Sequence, residues 1–359
     1  MRPAHANGFA MANLRQPNGT QANSIRADSI LVHVGLDLVG DGLMKLPFVY
    51  GLRAAFPKAR ITWLAGRGKT VYAGVLKGAV AGLIDEVIER TDIGVSVAEL
   101  LRNPLPGRAF DLIIDTQKGA LATLALHRVR HRAMLAPFGD FLLSGVKPPK
   151  GYKSPRNLQR QLLDLVEIAS GTPALKPGAF AVAIAADIRD LAARLLPRDE
   201  NGEPAYVGLV PGAGGAQKCW PLERYIELAQ RQAAMGRVPV FILGPAEAGW
   251  DTRIKQAVPS AQIPLQQDAI GLRHGFAPEL TIALAQCMTA IVANDSGAGH
   301  MCALSGTTLV SLFGPTPPEK FAPISERIRI VRAQDFGGRE MALIPVDAVA
   351  QAVEDSLTG

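Results

Sequence analysis

Residues 290–316 read AIVANDSGAGHMCALSGTTLVSLFGPT. The apolar run Ala290–Ala293 predicts a buried strand and Asn294-Asp295-Ser296-Gly297 a tight polar turn. A helix is expected from about Ala298 to Ser305, then a second strand over Thr308–Phe313. A strand that runs through a short turn into a helix and out to another strand is the unit of a parallel α/β sheet. The turn falls where free backbone N–H groups and the helix dipole favour an anion, usually a phosphate. Asp295 and Ser296 are good capping residues, and Gly297 lets a ligand approach the backbone. On these residues alone, a phosphate site and an ordinary capped helix stand equally open.

The same alternation extends along the chain in both directions. Strands are expected at Ile30–Val34, Arg60–Ala65, Glu86–Glu89, Leu112–Asp115 and Arg132–Ala136, and again at Tyr206–Val210, Val238–Leu243, Ala261–Ile263, Ala290–Ala293 and Thr308–Leu312. Helical patterns fall between them, including Gly42–Phe56, Asn157–Ala169, Asp187–Leu196, Leu222–Met235 and Pro278–Cys287. A length of 359 residues is too great for one ordinary core and suits two domains. The expected division is a tail at 1–27, a domain at 28–196, a linker at 197–204 (PRDENGEP) and a second domain at 205–359. The closing helix, 346–356, is expected to pack back on the first domain. The fold class is therefore α/β, with two Rossmann-like, doubly wound parallel-sheet domains facing across a cleft.

Composition narrows the function. Hydrophobic residues make up 48% and charged residues 19%, which argues for well-buried sheets rather than disorder. No apolar run reaches the length of a membrane span, and the first residues lack the apolar core of a signal peptide. Three cysteines without a CxxC pair argue against a disulfide framework and structural zinc, so a reducing cytoplasm is expected. The net charge of +6 admits an acidic partner, with HRVRHR at 127–132 and KPPKGYKSPR at 147–156 as the basic cluster. No stacking aromatics accompany these charges, so nucleic acid is not an expected partner. The cluster is either a solvated face or a peripheral contact to the cytoplasmic face of the inner membrane.

Several glycine-rich turns could carry chemistry. GLDLVGDGLMKLP (35–47) has Asp41 where a phosphate loop needs lysine. An aspartate at a helix N-terminus stays ionised and can accept a proton from a hydroxyl, or it simply caps the helix; Asp37 is a rival base. GRGKT (66–70) lacks the earlier glycine of a phosphate loop. PGAGGAQKCWP (211–221) lacks the third glycine of the dinucleotide fingerprint but offers Lys218 as a compact cation. Glu247, beyond the strand ending at Leu243, can take both hydroxyls of a ribose. His300 lies one turn into its helix, within reach of the Asp295 turn. No paired-carboxylate or histidine pattern suits a catalytic metal, so neither metal nor cofactor is expected.

Three blocks of residues resemble glycosyltransferase family 9, the family of the ADP-heptose:lipopolysaccharide heptosyltransferases. They are VGDGLMKLPFVYGLRAAFP (39–57), LVPGAGGAQKCWPLERYIELA (209–229) and ANDSGAGHMCALSGTTLVSLFGPTPPEKFAP (293–323). The resemblance implies a GT-B fold and an inverting, metal-independent transfer of a sugar from a nucleoside diphosphate to a hydroxyl. The donor would be ADP-heptose and the acceptor a cell-envelope glycan or glycolipid such as the lipopolysaccharide core. It implies Asp41 as the base on an acceptor-binding first domain. On a donor-binding second domain it implies Lys218 at the donor phosphates, Glu247 at the ribose, and Asp295, Ser296, Gly297 and His300 at the diphosphate and sugar. Two alternatives use the same fold: a nucleotide-sugar epimerase or hydrolase, and a non-catalytic sugar-nucleotide-binding protein.

Overall fold

The computed structural model describes residues 25–90, 92–174, 182, 184–266 and 278–358. Most of the expected tail, 1–27, lies outside these residues. Among the described residues the first half holds β1 (Ser29–Val34), α1 (Val39–Ala55), β2 (Arg60–Ala65), β3 (Glu86–Glu89), β4 (Ala109–Asp115), α2 (Ala120–Leu126), β5 (Arg130–Leu135) and α3 (Leu158–Ser170). The second holds α4 (Ala186–Leu195), β6 (Tyr206–Val210), α5 (Leu222–Ala234), β7 (Val238–Phe241), α6 (Trp250–Ala257), α7 (Pro278–Gln286), β8 (Ala290–Asn294), α8 (Gly297–Ala303), β9 (Thr308–Phe313), α9 (Pro318–Phe321), β10 (Ile328–Arg332) and α10 (Val346–Thr358).

Two five-stranded sheets result, ordered β3-β2-β1-β4-β5 and β10-β9-β8-β6-β7. Every strand pair is parallel. The central strands β1, β6 and β8 are buried almost end to end, as parallel strands covered by helices on both faces must be. The strand order reverses between β1 and β4 in the first sheet and between β6 and β8 in the second. Ligands of such sheets bind beyond the carboxyl ends of the strands at that reversal. There the first sheet presents the loops after Val34 and Asp115, and the second those after Val210 and Asn294.

Four expectations change. α4 was expected in the first half, but it packs on α7 of the second. Its amphipathic pattern says that it must bury a face, not which neighbour covers it. Pro197–Pro204, expected as the linker, is accordingly a turn within the second half. Asp199 N–H donates to Glu203 O at 2.7 Å, and the Tyr206 hydroxyl donates to Pro197 O at 2.7 Å. The closing helix α10 packs on β8, β9, β10 and α5, not on the first domain. Val346, Val349 and Val353 join the core beneath Val292 and Leu312. The expected strand at 261–263 is reduced to one bridging residue, Gln262, beside Val240.

The halves meet through α1 and α8. A Cβ built on Gly297 would lie 3.9 Å from the Cα of Gly40, so the N-termini of the two helices converge. On one flank the Asn157 amide donates to Ala322 O at 2.9 Å, and Ile324 N–H donates to Gln159 Oε1 at 2.7 Å.

Candidate functional site

The second half builds its site from the loop after β6 and the turn after β8. Asn294, fully buried at the end of β8, fastens them together. Its Oδ1 accepts from Trp220 N–H and the Tyr225 hydroxyl, both at 3.1 Å, and its amide donates to Pro211 O at 2.7 Å. Buried polar atoms need such partners, and here they fix the loop that carries Lys218. Lys218 Nζ donates to Asp295 Oδ2 at 2.9 Å, and Thr316 Oγ1 donates to the same oxygen at 2.7 Å. The Asp295 carboxylate therefore holds a cation beside the turn. Ser296 caps α8, its hydroxyl accepting from Gly299 N–H at 3.1 Å.

Ser296, Gly297 and Glu247 line one cavity of about 300 Å³ with the Gly212–Gly214 loop and Met301. Glu247 is buried and accepts from Gly244 N–H at 2.8 Å through Oε2. Its other oxygen faces Gly212, where an added Cβ would come within 2.6 Å of it. Only glycine admits the carboxylate this close to the backbone. His300 does not line this cavity. It lines a neighbouring one of about 140 Å³ with Pro47 and Gln159, against the first half. Its Nδ1 is buried and has no hydrogen-bond partner among the described residues. Burial pushes the imidazole pKa down; Asp295 opposes this and Lys218 adds to it.

In the first half, α1 begins at Val39, three residues before the expected start, so Asp41 is the third helical residue rather than the cap. Leu38, at the cap position, supplies no side-chain bond; its N–H donates to Asp41 Oδ2 at 3.4 Å. Asp41 opens onto a cavity of about 460 Å³ with Thr116, Gln117, Lys118, Tyr152 and Lys320. Asp37 is 3% exposed and pairs with Lys45. It also accepts from Trp63 Nε1 at 3.0 Å and Thr70 Oγ1 at 3.1 Å. It has no free face for a substrate, and Thr70 of the GRGKT stretch serves this network.

One group escaped the sequence reading. The β1–β4 register sets His33 beside Asp115, and their side chains meet at 2.8 Å (Nδ1 to Oδ1). Asp115 also accepts from Thr123 Oγ1 at 2.8 Å and Gln117 N–H at 2.9 Å. These bonds fix the loop of Thr116, Gln117 and Lys118 at the cavity. A Cβ on Gly66 would lie 2.5 Å from His33 Nε2, so glycine leaves room for the ring. Asn294 likewise looks like an ordinary turn residue until the fold brings Trp220 to it. Among the described residues no group of His, Cys, Asp and Glu gathers to hold a metal ion. None of their helices is long and apolar enough to cross a membrane.

Residues 177–341 match the model of glycosyltransferase family 9 (heptosyltransferase). Lipopolysaccharide heptosyltransferase 2 of Salmonella typhimurium is 35% identical over 136 residues, 37% of this chain and 37% of that protein. The matched stretch thus spans about a third of the curated relative. Among solved structures, a family 9 glycosyltransferase from Veillonella parvula superposes with a TM-score of 0.69 at 18% identity, covering 94% of this chain and 99% of that one. ADP-heptose lps heptosyltransferase II of E. coli superposes at 0.63 and 19% identity, covering 92% and 98%. Residues 177–341, a little under half of the chain, are therefore similar to glycosyltransferase family 9, and the chain carries the GT-B fold of the solved structures it resembles.

Proposed function

We propose that the protein is an inverting glycosyltransferase that moves a sugar from a nucleoside diphosphate to a hydroxyl of a cell-envelope glycan or glycolipid. One observation carries the reading. The turn after β8, armed by Lys218 on Asp295, faces the helix that presents Asp41 across the cleft. As the glycosidic bond breaks, the leaving diphosphate gains negative charge. Lys218 and the free N–H groups at the start of α8 compensate it. Asp295 orients Lys218 rather than touching the phosphates itself, since two anions would repel. The cavity lined by Glu247 takes the nucleoside, with the open carboxylate oxygen on the ribose. His300 borders the sugar side, on the seam between the halves.

Asp41 accepts the proton of the attacking hydroxyl from the opposite face of the sugar. One displacement with one base inverts the anomeric centre. Closing the halves excludes the water that would hydrolyse the donor. ADP-heptose is the first donor to try, because the E. coli structure similar in fold is named for it. No metal is assigned a role, and activity is expected to survive EDTA.

The test is a thermal melt with ADP, GDP and UDP at millimolar concentration, followed by mass spectrometry of products from the corresponding sugars. A nucleoside diphosphate that binds the folded state raises the melting temperature. No shift with any of them would remove the transferase reading. Turnover of donor at an undiminished rate without acceptor would favour the hydrolase or epimerase alternative.

A further inference from the structure

The cavity before Asp41 is divided in chemistry. One edge is polar and comes from the start of α1 and the loop after β4: Asp41, Thr116, Gln117 and Lys118. Lys320 joins them from the second half. Lys118 and Lys320 are exposed, and neither has a carboxylate partner among the described residues. The remaining wall is mainly apolar, formed by Met44, Pro137, Phe141 and the leucines of α3, with Lys45, Tyr152, Ser154 and Gln161 set among them.

α3 carries two apolar stripes, both in contact with the core. Leu163 and Val166 face α1, within 4 Å of where a Cβ on Gly51 would stand. That stripe is sufficient to dock an amphipathic helix. Leu158, Leu162 and Leu165, at helical spacing, form a second stripe that lines the cavity. Leu158 and Leu162 are only half-buried. The loop carrying Asp41 also leaves Leu36 at 50% and Leu38 at 62% exposure, and Leu142, next to Phe141, is 71% exposed.

A sugar ring laid against Phe141, Leu158 and Leu162 would bury hydroxyls that these side chains cannot partner, at a cost of about 1–3 kcal/mol each. An apolar body there loses nothing and gains from burial. Resting on the transferase reading above, we propose that the acceptor is amphiphilic at its reacting end. Its hydroxyl lies within a few bonds of an apolar body, alkyl or aromatic, that seats against Phe141, Leu158 and Leu162. Its polar flank meets Gln117 and the ammonium groups of Lys118 and Lys320, the latter lying over the Phe321 ring at 4.9 Å.

The test uses the full chain and submicellar n-alkyl β-glucosides from methyl to octyl, with 2-naphthyl β-glucoside as the aromatic arm. Affinity is measured by calorimetry with and without ADP. Binding should tighten about fourfold per added methylene and level off once the apolar end is full, which separates a cavity from a greasy surface. Tight naphthyl binding with a weak alkyl series identifies an aromatic body, and the reverse an alkyl one. Leu162→Gln and Leu158→Gln should each weaken binding of the preferred glucoside about tenfold. The thermal shift by ADP should stay unchanged, which also shows that the variants fold. Affinity that ignores the aglycone, or that the leucine variants leave intact, overturns the proposal. Failure of ADP to bind while the glucosides bind as described would break the transferase reading and leave the chemistry of this cavity standing.

Discussion

The two halves of this molecule share a five-stranded parallel plan, yet they finish their central strands with opposite chemistry. After β1 the chain places two aspartates, Asp37 and Asp41, and no phosphate-loop lysine. After β6, β8 and β9 it places glycines, a lysine and a threonine around one carboxylate. On the proposed reading, the first end receives a proton and the second an anion. A displacement needs both, on opposite faces of the reacting carbon. The difference shows how a common scaffold is specialised: the sheets fix position, and a few residues at the strand ends fix the sign of the charge.

The largest expected effect breaks the first half's side of this contrast. Asp41→Asn should cut turnover at least about a hundredfold, within the range for loss of a general base. It should leave the ADP-induced rise in melting temperature unchanged. The side chain bonds only its own helix start, a role Asn also fills, so little stability should be lost. Asp37→Asn should do the reverse. It strips a buried lysine of its counter-charge and should cost about 3 kcal/mol in urea unfolding. If Asp41→Asn turns over normally, the base is elsewhere and the two ends are not chemically opposed as argued.

The second effect, on the other half, is somewhat smaller. Lys218→Ala should cost about a hundredfold in turnover, or about 3 kcal/mol of transition-state stabilisation. Unlike Asp41→Asn, it should also weaken the thermal shift by ADP, because the ammonium meets the phosphates in the ground state too. Equal ADP shifts in wild type and Lys218→Ala would mean that the loop after β6 does not touch the donor.

The reading of residues 290–316 survives in detail because its signals are local. An apolar run, a cap and a second apolar run are each decided within a few residues. What the sequence left hidden depends on partners distant in the chain. The start of α1 lies at Val39, with Asp41 inside the first turn, and no polar residue at the cap marks the boundary. β10 was not among the expected strands; its two arginines and partly exposed isoleucines form the edge of a sheet. The partners of α4 and α10 could not be read either, since a pattern of apolar residues names no neighbour. In the site, Lys218 was legible as a cation but its hold on Asp295 was not. Asn294 and the His33–Asp115 pair emerge only when β1 meets β4 and β8 meets β6. Asp37 could be separated from Asp41 only by seeing Lys45, Trp63 and Thr70 close around it.

The smallest effect serves as a control on the comparison, because it lies at the outer part of the first sheet and involves no substrate. Glu86 on β3 accepts from Arg108 at 2.7 and 2.8 Å. The guanidinium lowers its pKa to about 2, against the opposing effect of partial burial. A carboxylate depressed in the folded state adds stability that is present above its unfolded pKa, near 4.5, and is lost as the pH falls through about 2. Arg108 is 42% exposed and Glu86 21%, so solvent screens the pair. The cost of Arg108→Ala at pH 7 should accordingly be about 1 kcal/mol or less. In urea unfolding at pH 7, 5 and 3, that cost should hold between pH 7 and 5 and shrink at pH 3. Turnover and ADP binding should stay at wild-type levels throughout. A penalty that stays constant down to pH 3 would assign the loss to the packing of the arginine stem. A drop in turnover would show that the cleft is sensitive to the far edge of its sheet, and the division between scaffold and strand ends would fail.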